Sequence, residues 1–180
     1  MKVVQTALPG VLIIEPQVYE DERGFFLETF QKRRYIEKAG IDIEFVQDNH
    51  SRSAHGVLRG LHAQKQHPQG KLVRVTYGEV FDVAVDINLK SATFGRWEAT
   101  LLSGSNARQF WIPAGYAHGF VVLSEWADFE YKCTDYYRSD DEIGVVWNDP
   151  DIGIRWPLEE PTLSAKDRAL PRLKDLRRDA

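Results

Sequence analysis

The chain has 180 residues, with 23 Lys and Arg against 27 Asp and Glu and a formal charge of −4. Hydrophobic residues at 43% and aromatic residues at 12% exclude a disordered chain, and the length suffices for one ordinary domain with a full core. The single cysteine, Cys133, excludes an intramolecular disulfide and a cysteine-based metal site.

Residues 1–5 lack the apolar run of a signal peptide. Short apolar runs at 11–14 and 25–30 predict the first strands. Residues 31–39 predict a helix, with Gly40 as its stop. Further strands are predicted at 43–46 and 57–62. Residues 71–77 place Val73, Val75 and Tyr77 on one face, and Gly78 turns the chain into a second alternating run at 80–87. Runs at 97–102, 109–112, 119–123 and 129–134 complete the strand series. Ser164-Ala165-Lys166-Asp167 reads as a helix start, Pro171 as a breaker, and 174–180 as a frayed charged tail.

Many short strands between turn signals, with little helix, predict an all-β antiparallel sandwich or barrel carrying a few short peripheral helices. Residues 1–180 read as a single domain, its core at about 10–150 and the segment 151–180 packing back on it. No apolar run approaches the length of a membrane helix, so a soluble cytoplasmic protein is expected.

Charge is unevenly placed. Between Asp48 and Glu79 there is no acidic residue, yet the window holds Arg52, Arg59, Lys65, Lys71 and Arg74 and four of the five histidines. From Glu125 to Asp151 nine acids face only Lys132 and Arg138. Charge runs more often mark a solvated face. Here the basic residues are interleaved with apolar ones in strand-like patterns, which favours a groove lined for an anion. The mildly acidic total argues against a nucleic-acid surface but not against a small anionic ligand.

Pro113-Ala114-Gly115-Tyr116-Ala117-His118 resembles the second sequence motif of the cupins, which are small jelly-roll barrels. Metal-binding cupins carry H-x-H and a downstream Glu in their first motif. The segment here reads His62-Ala63-Gln64, and no acid follows until Glu79. The ligand set is broken, so no metal and no other cofactor are expected.

A longer series covers nearly the whole chain in order. It includes Asp21-Glu22-Arg23-Gly24-Phe25-Phe26, Gln47-Asp48-Asn49-His50-Ser51 and Val57-Leu58-Arg59-Gly60-Leu61-His62. It continues with Gln69-Gly70-Lys71, Tyr131-Lys132-Cys133-Thr134-Asp135-Tyr136-Tyr137 and Ser164-Ala165-Lys166-Asp167. Together these resemble the dTDP-4-dehydrorhamnose 3,5-epimerases, cofactor-free cupin epimerases.

The resemblance implies a dTDP-4-keto-6-deoxy sugar as substrate, whose C4 ketone acidifies the protons at C3 and C5. It implies His62 as the base, Asp167 as its partner, Lys71 beside the enolate oxygen and Tyr131 as the acid. Each has a plainer reading: His62 as a core or turn histidine, Asp167 as a helix cap, Lys71 as a strand-edge lysine, Tyr131 as a core tyrosine. Lys71 shares the alternation of Val73 and Val75, where an unpaired lysine is costly.

By the same resemblance, Arg59, Lys166, Gln47, Asp48, Asn49, His118, Glu142 and Tyr137 bind the nucleotide sugar, with Tyr137 stacking on thymine. A homodimer is also implied, in which Arg23, Phe26 and Glu28 complete the partner's site. Ala63, where the family has an aromatic residue, and a short loop at 64–69 are departures beside the base. A single-site epimerase and a non-catalytic nucleotide-sugar-binding cupin are the alternatives.

Overall fold

A computed structural model describes residues 1–176. The chain runs β1 (Lys2–Gln5), β2 (Leu12–Glu15), β3 (Val18–Asp21), β4 (Gly24–Leu27), α1 (Lys32–Ala39), β5 (Gln47–Ala54), β6 (Leu58–Gln64) and β7 (Lys71–Tyr77). It continues with β8 (Glu79–Asp86), β9 (Trp97–Ser103), β10 (Gln109–Ile112), β11 (Tyr116–Val122), β12 (Trp126–Cys133), β13 (Glu142–Gly144), α2 (Ala165–Arg168) and α3 (Leu173–Leu176).

Two antiparallel sheets face each other. One has the order β1-β2-β10-β7-β12-β5, the other β13-β6-β11-β8-β9. Among the described residues, β3 and β4 pair only with each other. This is the expected jelly-roll architecture, and alternation explains it. Val73 and Val75 of β7, Phe110 of β10 and Phe129 of β12 meet Val80 of β8 and Phe120 and Val122 of β11 between the sheets. The rings of Phe120 and Phe129 stack at 4.1 Å across the gap. Burying each such ring contributes about 2–3 kcal/mol.

The alternate residues Leu61, Ala63, Val83 and Val85 point outward from the second sheet, where Val145, Ile152 and Leu173 cover them. Residues beyond the last strand also contact the sheets through backbone hydrogen bonds. Leu58 N–H donates to Thr162 O, and Asp149 Oδ2 accepts from Leu173 N–H at 2.8 Å.

Some boundaries differ from the expectation. Residues 43–46 form no strand; the strand runs through the polar segment Gln47–Ala54 instead. The strand predicted at 25–30 ends at Leu27, and β1, β3 and β13 are additional. The frayed tail is corrected in part, because Leu173–Leu176 is helical with Leu173 buried; the rest of that tail lies outside the described residues. α1 starts on Gln31, whose side chain accepts from Arg34 N–H, and stops at Gly40 with φ 68°, a left-handed value that glycine adopts without strain. No helix among the described residues is long and apolar enough to cross a membrane.

Candidate active site

The cavity between the sheets has a volume of 490 Å³ and is roofed by the segment around α2. β6 sends in Arg59 and His62, β7 Lys71, β11 His118, β12 Tyr131 and α2 Asp167. An adjoining space of 200 Å³ shares His62, Lys71, Tyr131, Tyr137 and Glu142 and adds Gln47, Asn49, Gln64 and Gln69. The His62 wall and the Lys71–Tyr131 wall belong to different sheets.

His62 Nε2 lies 2.6 Å from Asp167 Oδ1. Asp167 is buried, and its backbone N–H donates to Ser164 Oγ at 3.0 Å. The carboxylate thus holds the imidazole, while the backbone of the same residue sits in the first turn of α2, capped by Ser164. With Nε2 tied to the carboxylate, Nδ1 is the ring atom left to take a proton. Behind His62 the strands approach closely. A Cβ on Gly60 would stand 2.6 Å from Gly119 Cα and 2.8 Å from His118 O, and Gly60 has φ +130°. Only glycine fits there, and the approach sets His62 beside His118 in register.

Lys71 points inward with Val73, as its alternation implied, and its Nζ stands 6.0 Å from the centre of the Tyr131 ring. Among the described residues it has no hydrogen bond or ion pair. Burial pushes its ammonium below the usual lysine range, opposed by Cys133, Glu142 and Asp82 nearby. An ammonium so placed gains from any anion that enters the cavity. Burial pushes the Tyr131 phenol up, so it holds its proton. Cys133 is buried beside them, its thiol also pushed up by burial, and its sulfur accepts from Asn49 Nδ2 at 3.5 Å.

At the mouth, Tyr137 OH donates to Glu142 Oε2 at 2.8 Å, and Lys166 Nζ lies 2.6 Å from Glu142 Oε1. Burial disfavours the Glu142 charge, but Lys166, Tyr137 and His62 outweigh it and hold the carboxyl below its usual range. Arg59 Nε donates to Ser53 Oγ at 3.0 Å. His118 Nε2 lies 3.0 and 3.1 Å from the two oxygens of Asp82, a fully buried carboxylate pushed up by its burial.

A family model described as dTDP-4-dehydrorhamnose 3,5-epimerase matches residues 5–175. The chain belongs to that family. It is 57% identical over 169 residues to the dTDP-4-dehydrorhamnose 3,5-epimerase of Pseudomonas aeruginosa, covering 93% of each chain. A crystal structure of the dTDP-6-deoxy-D-glucose-3,5-epimerase of Legionella pneumophila, in complex with dTDP-4-keto-L-rhamnose, superposes with a TM-score of 0.94 at 58% identity, over 96% of this chain and 93% of that one. The 3'-monoepimerase ChmJ of Streptomyces bikiniensis, in complex with dTDP-quinovose, is more distant, at 32% identity and a TM-score of 0.91, over 96% of this chain and 88% of that one. The chain is an isomerase of the epimerase class.

Not every expected site residue of this epimerase reaches the cavity of its own chain. Asp48 lies on the outer face of β5, paired with Lys132 Nζ at 2.9 Å, because neighbours on a strand alternate and Gln47 and Asn49 take the inner face. Arg23 pairs with Asp21 at 2.5 Å and Phe26 stands 68% exposed, both on the isolated β3–β4 hairpin. Glu28, just beyond the hairpin, pairs with Arg34 at 2.5 Å. Conversely, Asp82, Gln64 as a hydrogen-bonding residue, and Gln69 were not anticipated. An acid at an inward strand position within an apolar run was the available signal for Asp82, since burial there demands a partner.

Proposed function

We propose that this epimerase converts dTDP-4-dehydro-6-deoxy-D-glucose to dTDP-4-dehydro-L-rhamnose by inverting C3 and C5 in turn. The observation that carries this reading is the His62–Asp167 pair facing the Lys71 and Tyr131 wall across one cavity. His62 Nδ1 takes the proton from carbon, and Asp167 stabilises the imidazolium. The electron pair moves onto the C4 oxygen, where Lys71 offsets its charge. Tyr131 returns a proton to carbon from the opposite side, and solvent restores both groups. A phenol is a weak acid, but an enolate is basic enough to accept its proton.

Arg59 and Lys166 supply positive charge for the diphosphate, His118, Asn49 and Glu142 contact the sugar end, and Tyr137 stacks on thymine. The acting unit in this reading is a homodimer. The β3–β4 hairpin pairs with nothing else among the described residues, and it leaves Tyr19, Phe25 and Phe26 61%, 66% and 68% exposed, which supports docking on a second copy. Arg23, Phe26 and Glu28 then complete the partner's site. A cytoplasmic location accords with a nucleotide-sugar substrate and an unpaired thiol.

Incubation with dTDP-4-keto-6-deoxyglucose in D2O, followed by proton NMR, tests the reading. Deuterium entering at both C3 and C5 is the expected result. Exchange at one carbon identifies a single-site epimerase. No exchange alongside tight dTDP binding identifies a binding protein.

A further inference from the structure

Four consecutive residues after β12 each have a backbone group held by a glutamine side chain. Gln69 Nε2 donates to Asp135 O at 2.7 Å, and Gln64 Nε2 donates to Tyr136 O at 3.3 Å. Tyr137 N–H donates to Gln47 Oε1 at 2.9 Å, and Arg138 N–H donates to Gln64 Oε1 at 2.6 Å. The second proton of Gln64 Nε2 goes to His67 O at 2.6 Å. Gln64 and Gln69 are buried, with 6% and 8% exposure. A buried carboxamide is unfavourable unless its donors and acceptor are used. Here those of Gln64 are spent on loop backbone.

The chemistry suits the task. A carboxamide both donates and accepts, so one side chain bridges a carbonyl and an N–H of nearby peptide units. It does not titrate, so the bridge is independent of pH. The three glutamines also stand two residues from Asn49, His62 and Lys71, on the same strand faces or just ahead of them. The loop carrying Tyr137 is therefore tied to the strands that carry the base and the lysine. The Tyr137 hydroxyl is fixed separately by Glu142.

We propose that Gln64, Gln69 and Gln47 are positioning residues that hold the Tyr137 ring as a preformed platform for the nucleobase. Gln47 then acts through Tyr137 with its Oε1, while one proton of its Nε2 goes to Asn49 Oδ1 at 3.0 Å. The occupant of position 64 also takes on a role of its own, beyond standing where metal cupins have a histidine. The benefit is preorganisation: dTDP meets an ordered ring and does not have to order the loop. The inference rests on the reading of Tyr137 as the thymine contact.

A double-mutant cycle tests it, with calorimetric binding of dTDP and of inorganic pyrophosphate as readouts. Tyr137→Ala should weaken dTDP by about tenfold or more and leave pyrophosphate unchanged. Gln64→Leu should weaken dTDP about three- to tenfold, leave pyrophosphate unchanged, raise KM more than it lowers kcat, and add nothing in the Tyr137→Ala background. Gln69→Leu removes a single bond, should fold even if Gln64→Leu does not, and should show the same pattern at smaller size. Losses that are equal for pyrophosphate, or that persist in full without the Tyr137 ring, overturn the positioning role alone. Wild-type dTDP affinity in Tyr137→Ala overturns the thymine reading and the platform with it.

Discussion

His62 Nε2 and Asp167 Oδ1 lie 2.6 Å apart although 105 positions separate them in the chain. The contact exists because the C-terminal segment folds over the cavity and presents the carboxylate from the capped start of α2. Replacing His62 by Ala should abolish deuterium incorporation at both carbons, a loss of about 10²–10⁴-fold or more in kcat. Asp167→Asn keeps the shape but not the charge that stabilises imidazolium, and should lower kcat by about 10–10³-fold with little change in KM. Wild-type exchange rates in His62→Ala would remove His62 as the base.

Lys71 gives a signed pH prediction. Its charge is the useful form, and burial pushes its pKa down, so the charge is lost at lower pH than for an ordinary lysine. Burial raises the phenol of Tyr131, which keeps its useful proton to higher pH. Lys71 therefore sets the alkaline limb of kcat/KM, which reports the free enzyme. In Lys71→Arg the cation no longer titrates, so this limb should move to higher pH while the plateau falls by about tenfold or more from misplacement. An unmoved limb would assign it to another group.

The hairpin prediction uses two inactive variants. Arg23→Ala removes a residue from the arm, and His62→Ala removes the proposed base. If the arm completes the partner's site, mixing the two after reversible dissociation should restore activity to about a quarter of wild type, because half the dimers are mixed and each has one intact site. No recovery, in a mixture shown by mass to contain mixed dimers, would place Arg23 and His62 in the same chain's site.

Gly60→Ala tests the close approach behind His62. Its Cβ would collide with the backbone of Gly119 and His118, and its φ of +130° disfavours any side chain. The variant should lose at least about 3 kcal/mol, seen as a large fall in Tm or as insoluble protein. Gly56→Ala, with φ +77° and nothing within 4 Å of the new Cβ, should lose about 1–2 kcal/mol.

Much of the architecture was legible because β7, β8 and β12 alternate cleanly. Lys71 and Tyr131 fell on inward faces for the same reason that Val73 and Phe129 did. β5 was invisible for the opposite reason. Its inner residues Gln47 and Asn49 line the adjoining space, and its outer residues His50 and Arg52 reach Asp128 on β12, so neither face is apolar. A strand with two polar faces has no period for hydrophobicity to reveal. The glutamine cradle was hidden for a different reason. Its bonds run to backbone, which every residue has, so no partner residue type marks it. The expectation for the hairpin residues Arg23 and Phe26 came only through family likeness, since neither lines the cavity of its own chain.

The cavity is the space between two sheets, with His62 on one and Tyr131 on the other. A planar enolate lying in that gap presents opposite faces to opposite walls. Inversion then follows from the sandwich itself and needs no movement of the intermediate between the two proton transfers at a carbon. Stereochemical fidelity becomes a matter of layer spacing. Core substitutions such as Phe110→Leu, at a buried position between the sheets that does not line the cavity, are the ones to examine for products returned with the wrong hand.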